Sequence, residues 1–440
     1  MVSSWHDARP VAWRCAWGAR LSTPTFAREA EPAPGRGLTA PGRALSSLRH
    51  REFRFLLGSS TALQVGSWIQ TIGMGWLVLH DLDGSATDLA LVGLVRGASQ
   101  LLIAPVGGYA AGRWDRRKQL IGYAAGAATI AATLATLTAT GLITLGLVYA
   151  LAAAAGILDA LAGPIRMMVI HDTVGPEDLT NAVALNGIAG NAMRVIGPAT
   201  GGILIGLVGT QGAFQAQAAA LALAALLSVP LRPKPPGEGP PAPLWRSIAE
   251  GMRYTVRDHA VATVVFLALV PSLLVYPYVT FLPVFARDVL GSNERGYGLL
   301  AAGVGVGSLL GGALVAMTAH RARLAPVMAW ACFVYCLCVL SFTFSRHLWL
   351  SFAILAVAGV FHSVYAALNS SLMQLKAAPE FRGHVLSLQI MTWGVSPFAA
   401  LAMGRMVDTW GAPTVVGAWV ATAAAVTLAT IAATRGLRDI

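Results

Sequence analysis

Residues 232–243 read RPKPPGEGPPAP, and this stretch divides the chain. Prolines at this density remove backbone donors and cannot sustain a helix, so the segment is a linker. The sequence continues LWRSIAEGMRYTVRDH over 244–259, where Leu244, Ile248, Met252 and Val256 recur every fourth residue and Arg246, Arg253 and Arg257 take the polar side. That pattern predicts a short amphipathic helix lying on a membrane surface. Upstream of the linker, apolar runs of spanning length occupy 55–80, 86–111, 119–140, 144–170, 182–208 and 212–231. Downstream they occupy 260–285, 297–318, 324–344, 348–375, 385–408 and 411–433. Six spans precede the linker and six follow it.

Composition excludes the soluble alternatives. Of 440 residues, 56% are hydrophobic and only 12% charged, about half the charge that coats a globular surface. The net charge of +11 is not a nucleic-acid footprint, because the basic residues fall in short loops between apolar runs. Cys332, Cys336 and Cys338 share one apolar run without a nearby His or carboxylate and read as packing residues. The chain carries no GxxxxGK[ST] motif, no metal-spaced His and no nucleophile elbow, so neither an ATP-driven pump nor an enzyme is expected.

Orientation follows from the distribution of Lys and Arg. With an even number of spans both termini share a side. Eighteen Lys and Arg flank spans on that side, against Arg287, Arg295 and Arg346 on the other. The cytoplasmic side is the basic one, which predicts a multi-pass plasma-membrane protein with both termini in the cytoplasm. Residues 1–47, with six Arg and five Pro, read as a disordered cytoplasmic tail or an over-long start, and 434–440 as a short C-terminal tail.

The halves are related. A shift of 203 residues lays Gly156 on Gly359, Pro176-Glu177 on Pro379-Glu380, Leu185 on Leu388 and Gly201 on Gly404. A parallel six-plus-six repeat (48–231 and 260–433) is a transporter architecture. The expected fold is an all-α membrane protein of twelve transmembrane helices in two pseudo-symmetric six-helix bundles.

Ionisable side chains inside spans are costly and mark function. They are Arg96 in span two, Asp159 and Arg166 in span four, Arg194 in span five and His362 in span ten. Arg405 and Asp408, near the end of span eleven, read as an interfacial i, i+3 pair, and Arg166 also reads as a snorkelling residue. Spans three, six, nine and twelve have none well inside, which predicts an outer, lipid-facing scaffold. Helical spacing aligns Gln64, Ser67 and Thr71; Arg96, Ser99 and Gln100; His362, Tyr365 and Asn369; and Gln389, Thr392 and Ser396. Converging stripes of this kind build a cavity for an organic molecule. A mid-span carboxylate such as Asp159 is either protonated or paired, and both states suit proton coupling. His362 reads as a cavity residue or as a packing one. In span five, Gly187, Gly190, Arg194, Gly197 and Gly201 share one line, so a neighbour approaches closely and Arg194 points into protein. Pro198 is expected to kink that helix, and Pro271, Pro277 and Pro283 to bend span seven.

The loop after span two reads GGYAAGRWDRRK over 107–118. Gly108 would let helix ends approach. Arg113, Arg116 and Arg117 would either follow the positive-inside rule alone or pair with neighbouring acids and helix ends as a gate. Gly311-Gly312 before His320, Arg321 and Arg323 favours the gate.

This loop, together with RVIGPATGG (194–202), resembles the major facilitator superfamily. FRFLLGSSTALQVGSWIQTIGMGWLVL (53–79), GPEDLTNAVALNGIAGNAMRVIGPATGG (175–202) and PEFRGHVLSLQ (379–389) are similar to its enterobactin-exporter-like, or transmembrane secretion effector, branch. The resemblance covers about residues 48–433. It implies an exporter working by alternating access, driven by a proton gradient without a cofactor, with gate roles for Gly108, Arg113, Arg116 and Arg117 and an antiporter-like signature at Gly197, Pro198, Gly201 and Gly202. The chain departs from the family at Gly112, where Asp is usual, and Asp115 is the substitute at hand. The expected function is proton-coupled efflux of a small organic molecule (a siderophore, drug or secondary metabolite) by a monomer in the bilayer. Import of an anionic solute and a transport-inactive scaffold subunit are the alternatives.

Overall fold

The computed structural model describes residues 46–175, 177–233, 259–318, 324–376 and 394–433. Among them only helices and their connections occur. A 3-10 turn, Ser46–Arg49, leads into α1 (Arg51–Trp76), which widens into a π turn through Leu77–Asp81. Then come α2 (Ala86–Arg113), α3 (Arg116–Ala139) and α4 (Leu145–Thr173). One run, Leu179–Ser228, is divided where Gly209 leaves helical geometry at φ 71°, ψ 175°, giving α5 (179–208) and α6 (210–228). α7 (His259–Leu274) continues through a 3-10 segment, Tyr276–Phe281, a single turn, Leu282–Val284, and a π turn, Phe285–Val289. The remainder is α8 (Glu294–Thr318), α9 (Leu324–Phe344), α10 (Leu348–Lys376), α11 (Ser396–Trp410) and α12 (Ala412–Ala433).

Nine of the described helical stretches are long and apolar enough to cross a membrane, with α5 and α6 counted as one. α1, which opens with Arg51, Glu52 and Arg54, and α11, described over only 15 residues, complete the twelve. Helix ends follow the expected spans to within a few residues, with two differences. No loop separates α5 from α6, because a single left-handed glycine makes the corner. Pro198, expected to kink its helix, keeps helical φ and ψ, and the break falls at Gly209. α7 is bent as its prolines require. Tail residues 1–45, the amphipathic segment 244–257, His320, Arg321, Arg323, Pro379-Glu380 and Gln389 lie outside the described residues.

The halves repeat one packing scheme. Gly303, Gly307 and Gly311 of α8, one turn apart, abut Phe352, Ala356 and Val360 of α10, also one turn apart, so these helices run parallel in backbone contact. Gly359 of α10 returns the contact to the Val304 carbonyl, and Gly156, its counterpart by the 203-residue shift, meets the Arg96 carbonyl on α2. In the first half α6 lies along α1, with Gly66 against Leu221, Gly73 against Phe214 and Ser59 donating to the Ala224 carbonyl at 3.0 Å. The bundles meet at two seams. α5 crosses α8 where Gly202 faces Gly298, and α11 crosses α2 where Gly404 faces Ala86 and Thr87. Both seams bring in helix ends on the face away from the chain termini, the distal face.

Candidate functional site

A cavity of about 360 Å³ opens within the first bundle, lined by Leu63, Gln64, Ser67 and Trp68 of α1, Arg96 of α2, Tyr123 of α3, Asp159 of α4 and Arg194 of α5. Asp159 is part of its wall. Arg96 donates from Nε (3.0 Å) and Nη2 (2.8 Å) to Oδ2, and the Tyr123 hydroxyl donates to Oδ1 at 3.0 Å. Both carboxylate oxygens are engaged and the Arg96 guanidinium faces one of them with two donors. The α2–α4 backbone contact at Gly156 positions the pair by bringing the Arg96 turn onto α4.

Arg194 joins the same cavity through the glycine face of α5. Gly190 faces the Gln64 amide, Gly197 the Trp68 ring and Gly201 the Ile72 side chain, so α5 lies against α1 and presents Arg194 beside Gln64 and Trp68. No described carboxylate forms an ion pair with it. His362 sits among the rings of Tyr335 (5.1 Å), Tyr276 (5.9 Å) and Tyr365 (6.5 Å). The cavity thus holds one neutralised pair and one further cation.

Behind Asp159 a smaller pocket of about 20 Å³ reaches Gln70 of α1 and Gln217 of α6. Gln217 is 1% exposed and its Oε1 has no hydrogen-bond partner among the described residues. Polar groups of α3 and α6 therefore face the site, which corrects the expectation that these helices only shield it from lipid. Tyr123 lies in a span that is otherwise Ala- and Thr-rich and carries no charge to mark it. The available signal was the phenol itself, since a buried Tyr hydroxyl requires a partner.

Other expected site residues are placed elsewhere. Asn369, aligned by spacing with His362, is 2% exposed and donates to the Val264 carbonyl on α7 at 3.0 Å, with Met328 Sδ at 3.6 Å, so it braces the second bundle. Tyr365 donates to the Leu267 carbonyl at 3.0 Å. Arg166 belongs to α4, and its side-chain surroundings lie outside the described residues, as Gln389 does entirely.

At the terminal face, Asp115 caps α3 by accepting from the Arg117 amide (2.8 Å) and the Lys118 amide (3.1 Å). Arg116 pairs with Asp172 of α4. Arg113 donates to the Tyr109 hydroxyl at 3.0 Å and lies over its ring. These described bonds stay inside the first bundle and brace α2, α3 and α4. Both cap bonds fall on Oδ1 of Asp115, and the surroundings of Gly112 lie outside the described residues. Gly107 makes a close approach here, since a Cβ on it would fall on the Ala160 carbonyl, while the surroundings of Gly108 lie outside the described residues. Gly197, Pro198, Gly201 and Gly202 are helix-packing positions: Gly197 and Gly201 meet α1, Gly202 meets Gly298, and a Cβ on Gly298 would approach the Pro198 carbonyl at 2.7 Å.

Arg405 and Asp408 do not pair with each other. Asp408 bonds instead to the start of α2: Oδ1 accepts from the Ala86 amide at 2.7 Å, and Oδ2 from the Thr87 amide at 3.1 Å and the Thr87 hydroxyl. Sequence spacing suggested the i, i+3 neighbour, but the partner lies across the bundle seam.

The model of the transmembrane secretion effector family matches residues 42–438. The staphyloferrin A transporter of Staphylococcus aureus (strain NCTC 8325 / PS 47) is 24% identical over 363 residues, covering 81% of this chain and 90% of that protein. The multidrug efflux pump Tap of Mycobacterium tuberculosis (strain ATCC 25618 / H37Rv) is 26% identical over 371 residues, covering 81% and 87%. Among solved structures, the nucleoside transporter NupG superposes with a TM-score of 0.68 at 14% identity, covering 87% of this chain and 98% of that one. An inward-facing, unoccupied bacterial homologue of the human lysosomal transporter Spinster gives 0.64 at 17% identity, covering 87% and 94%.

Proposed function

Because this chain belongs to the transmembrane secretion effector family of the major facilitator superfamily, and is therefore a membrane transporter and not an enzyme, we propose that it exports a small organic molecule in exchange for protons. The observation that carries the proposal is the Asp159 carboxylate on the cavity wall, held by Arg96 and Tyr123. An ionised acid inside a span is retained only with partners. A proton and the cargo's own donors compete for those two oxygens, and competition for one site is the linkage that exchange requires. The protein sits in the plasma membrane as a monomer, both termini in the cytoplasm, with the basic loops supporting that orientation. The distal face is then the outer one. Two named relatives, a siderophore transporter and a multidrug pump, support cargo of siderophore or drug size.

Arg194 favours a second reading. With Arg96 neutralised by Asp159, it leaves the cavity net positive, which suits an anionic cargo. An anion that drew Arg96 away would favour protonation of Asp159, so proton and cargo would bind together, the linkage of an importer. The sign of the effect separates the readings. Protein in liposomes loaded with a pH-sensitive dye is given candidate siderophores and drugs under an imposed pH gradient. Efflux predicts opposed proton and cargo fluxes, and import predicts parallel ones. Fluxes indifferent to collapse of the gradient remove the coupling. Absence of any flux from well-folded protein returns the inactive-scaffold reading.

A further inference from the structure

The first turn of α2 presents four amide groups that no preceding helical carbonyl engages. Its own bundle satisfies two through a capping box: Ser85 N–H donates to Asp88 Oδ2 at 2.9 Å and Asp88 N–H to the Ser85 hydroxyl oxygen at 3.1 Å. The other two, on Ala86 and Thr87, donate to Asp408 of the second bundle. At the same end of this helical hairpin, Arg287 of α7 donates to the Leu79 carbonyl in the π turn that closes α1. Asp288 holds the Arg287 guanidinium from behind, accepting from Nε at 2.6 Å and Nη2 at 3.2 Å, so Nη1 is the nitrogen turned to Leu79. A third contact has the same form. Arg295 of α8 donates to the Gly206 carbonyl at 3.4 Å, in the last turn of α5 before the break at Gly209.

All three charges come from the second bundle, and all three end on the backbone of the first. An anion meets a helix N-terminus and two cations meet helix C-terminal ends, in each case the sign that the helix dipole favours. We propose that these three clasps are the distal gate: Asp408, Arg287 and Arg295 hold the bundles shut by gripping the helix ends of α2, α1 and α5, and transport requires their release. A cavity of about 470 Å³, whose lining includes Ser85, Ala86, Arg287, Asp288, Arg346 and Asp408, gives water access to the α1–α2 clasp. Water therefore takes over the freed amides and carbonyls when the halves part, which makes the clasp reversible where a buried ion pair would lock. Gly404 lets α11 approach α2 closely enough for the short Asp408 side chain to reach its amides, and the Gly202–Gly298 crossing brings α8 against α5 beside Arg295. The gate is independent of proton coupling and of cargo.

The backbone target gives a test with a distinctive asymmetry. Spin labels on Cys replacing Leu142, in the α3–α4 turn, and Trp349, at the start of α10, report the distal separation of the bundles. Both residues are exposed, and the full chain is measured in nanodiscs. Asp408→Ala is expected to raise the ratio of separated to closed distances about five- to thirtyfold, with Arg287→Gln and Arg295→Gln smaller in the same direction. Thr87→Val, which keeps both main-chain donors, should move the distribution less than Asp408→Ala. An unchanged distance distribution in folded Asp408→Ala, with only lower thermal stability, would overturn the gate and leave Asp408 a structural cap. Should Asp408→Ala not fold, Asp408→Asn and Arg287→Gln decide by the same readout.

Discussion

The Tyr365 hydroxyl donates to the carbonyl of Leu267, which lies four residues before Pro271. Proline has no N–H, so this carbonyl loses its helical donor and α10 supplies another. Tyr365→Phe should leave it unpaired in an apolar setting and lower stability by about 1–3 kcal/mol. Pro271→Ala restores a donor, so the cost of Tyr365→Phe should shrink in that background. Thermal unfolding of the four proteins measures the coupling, and additive effects would show that the hydroxyl does not serve the missing bond.

Arg96→Gln leaves Asp159 without its cation inside the membrane, a loss of about 3–5 kcal/mol. Asp159→Asn in the same chain should recover most of that stability while abolishing proton flux. Unfolding and dye-detected proton movement separate the two effects, and a double variant no more stable than Arg96→Gln would speak against a direct pair.

Arg194→Gln removes the unmatched charge from the cavity. Affinity for an anionic cargo is expected to fall at least about tenfold, with little change for a cationic one. Equilibrium binding to the purified protein distinguishes them, and equal losses for both would assign Arg194 to packing.

Gly298→Leu places a side chain against the Pro198 carbonyl and the Gly202 backbone. The α5–α8 seam then cannot close, and a thiol placed at Ser67 should react faster with an impermeant maleimide added from the distal side. Unaltered reactivity would mean that the seam does not limit access.

Asp178, at the start of α5, accepts hydrogen bonds from Ser46 and His50 and faces Arg49, which together hold its carboxyl below the ordinary carboxylate value of 3.8. A lowered value means that the stabilising contribution is complete above the unfolded value and is lost as pH falls through the folded one. Docking of residues 46–50 should therefore survive mild acid and release only below about pH 3.8. Hydrogen exchange of this segment against pH reads the release, and release near neutrality would exclude Asp178 as the anchor.

The sequence carries what depends on one helix at a time. Span limits, the bend at Pro271, Pro277 and Pro283, and the charges of Arg96, Asp159 and Arg194 are visible because burying them has a recognisable cost. What depends on a neighbour is not. Spacing placed Asn369 on the face of His362, but only the position of α7 shows that face turned partly to a carbonyl. Asp408 looked like the partner of Arg405, whereas its acceptor oxygens meet backbone amides more than three hundred residues away. Tyr123 lay in a span without charge and so gave no electrostatic signal. Gly209 is one glycine among many in an apolar stretch, and its positive φ leaves no mark on hydropathy.

That glycine bears on how the protein is made. As one straight helix the 50 residues from Leu179 to Ser228 would extend about 75 Å, more than twice the hydrocarbon thickness of about 30 Å. With no polar loop to hold outside, α5 and α6 must enter the bilayer together as a hairpin folded at one residue. A bulky replacement at Gly209 would strand α6 and everything after it on the wrong side before any transport cycle began, so its defect belongs to biogenesis and would be read in topology and yield.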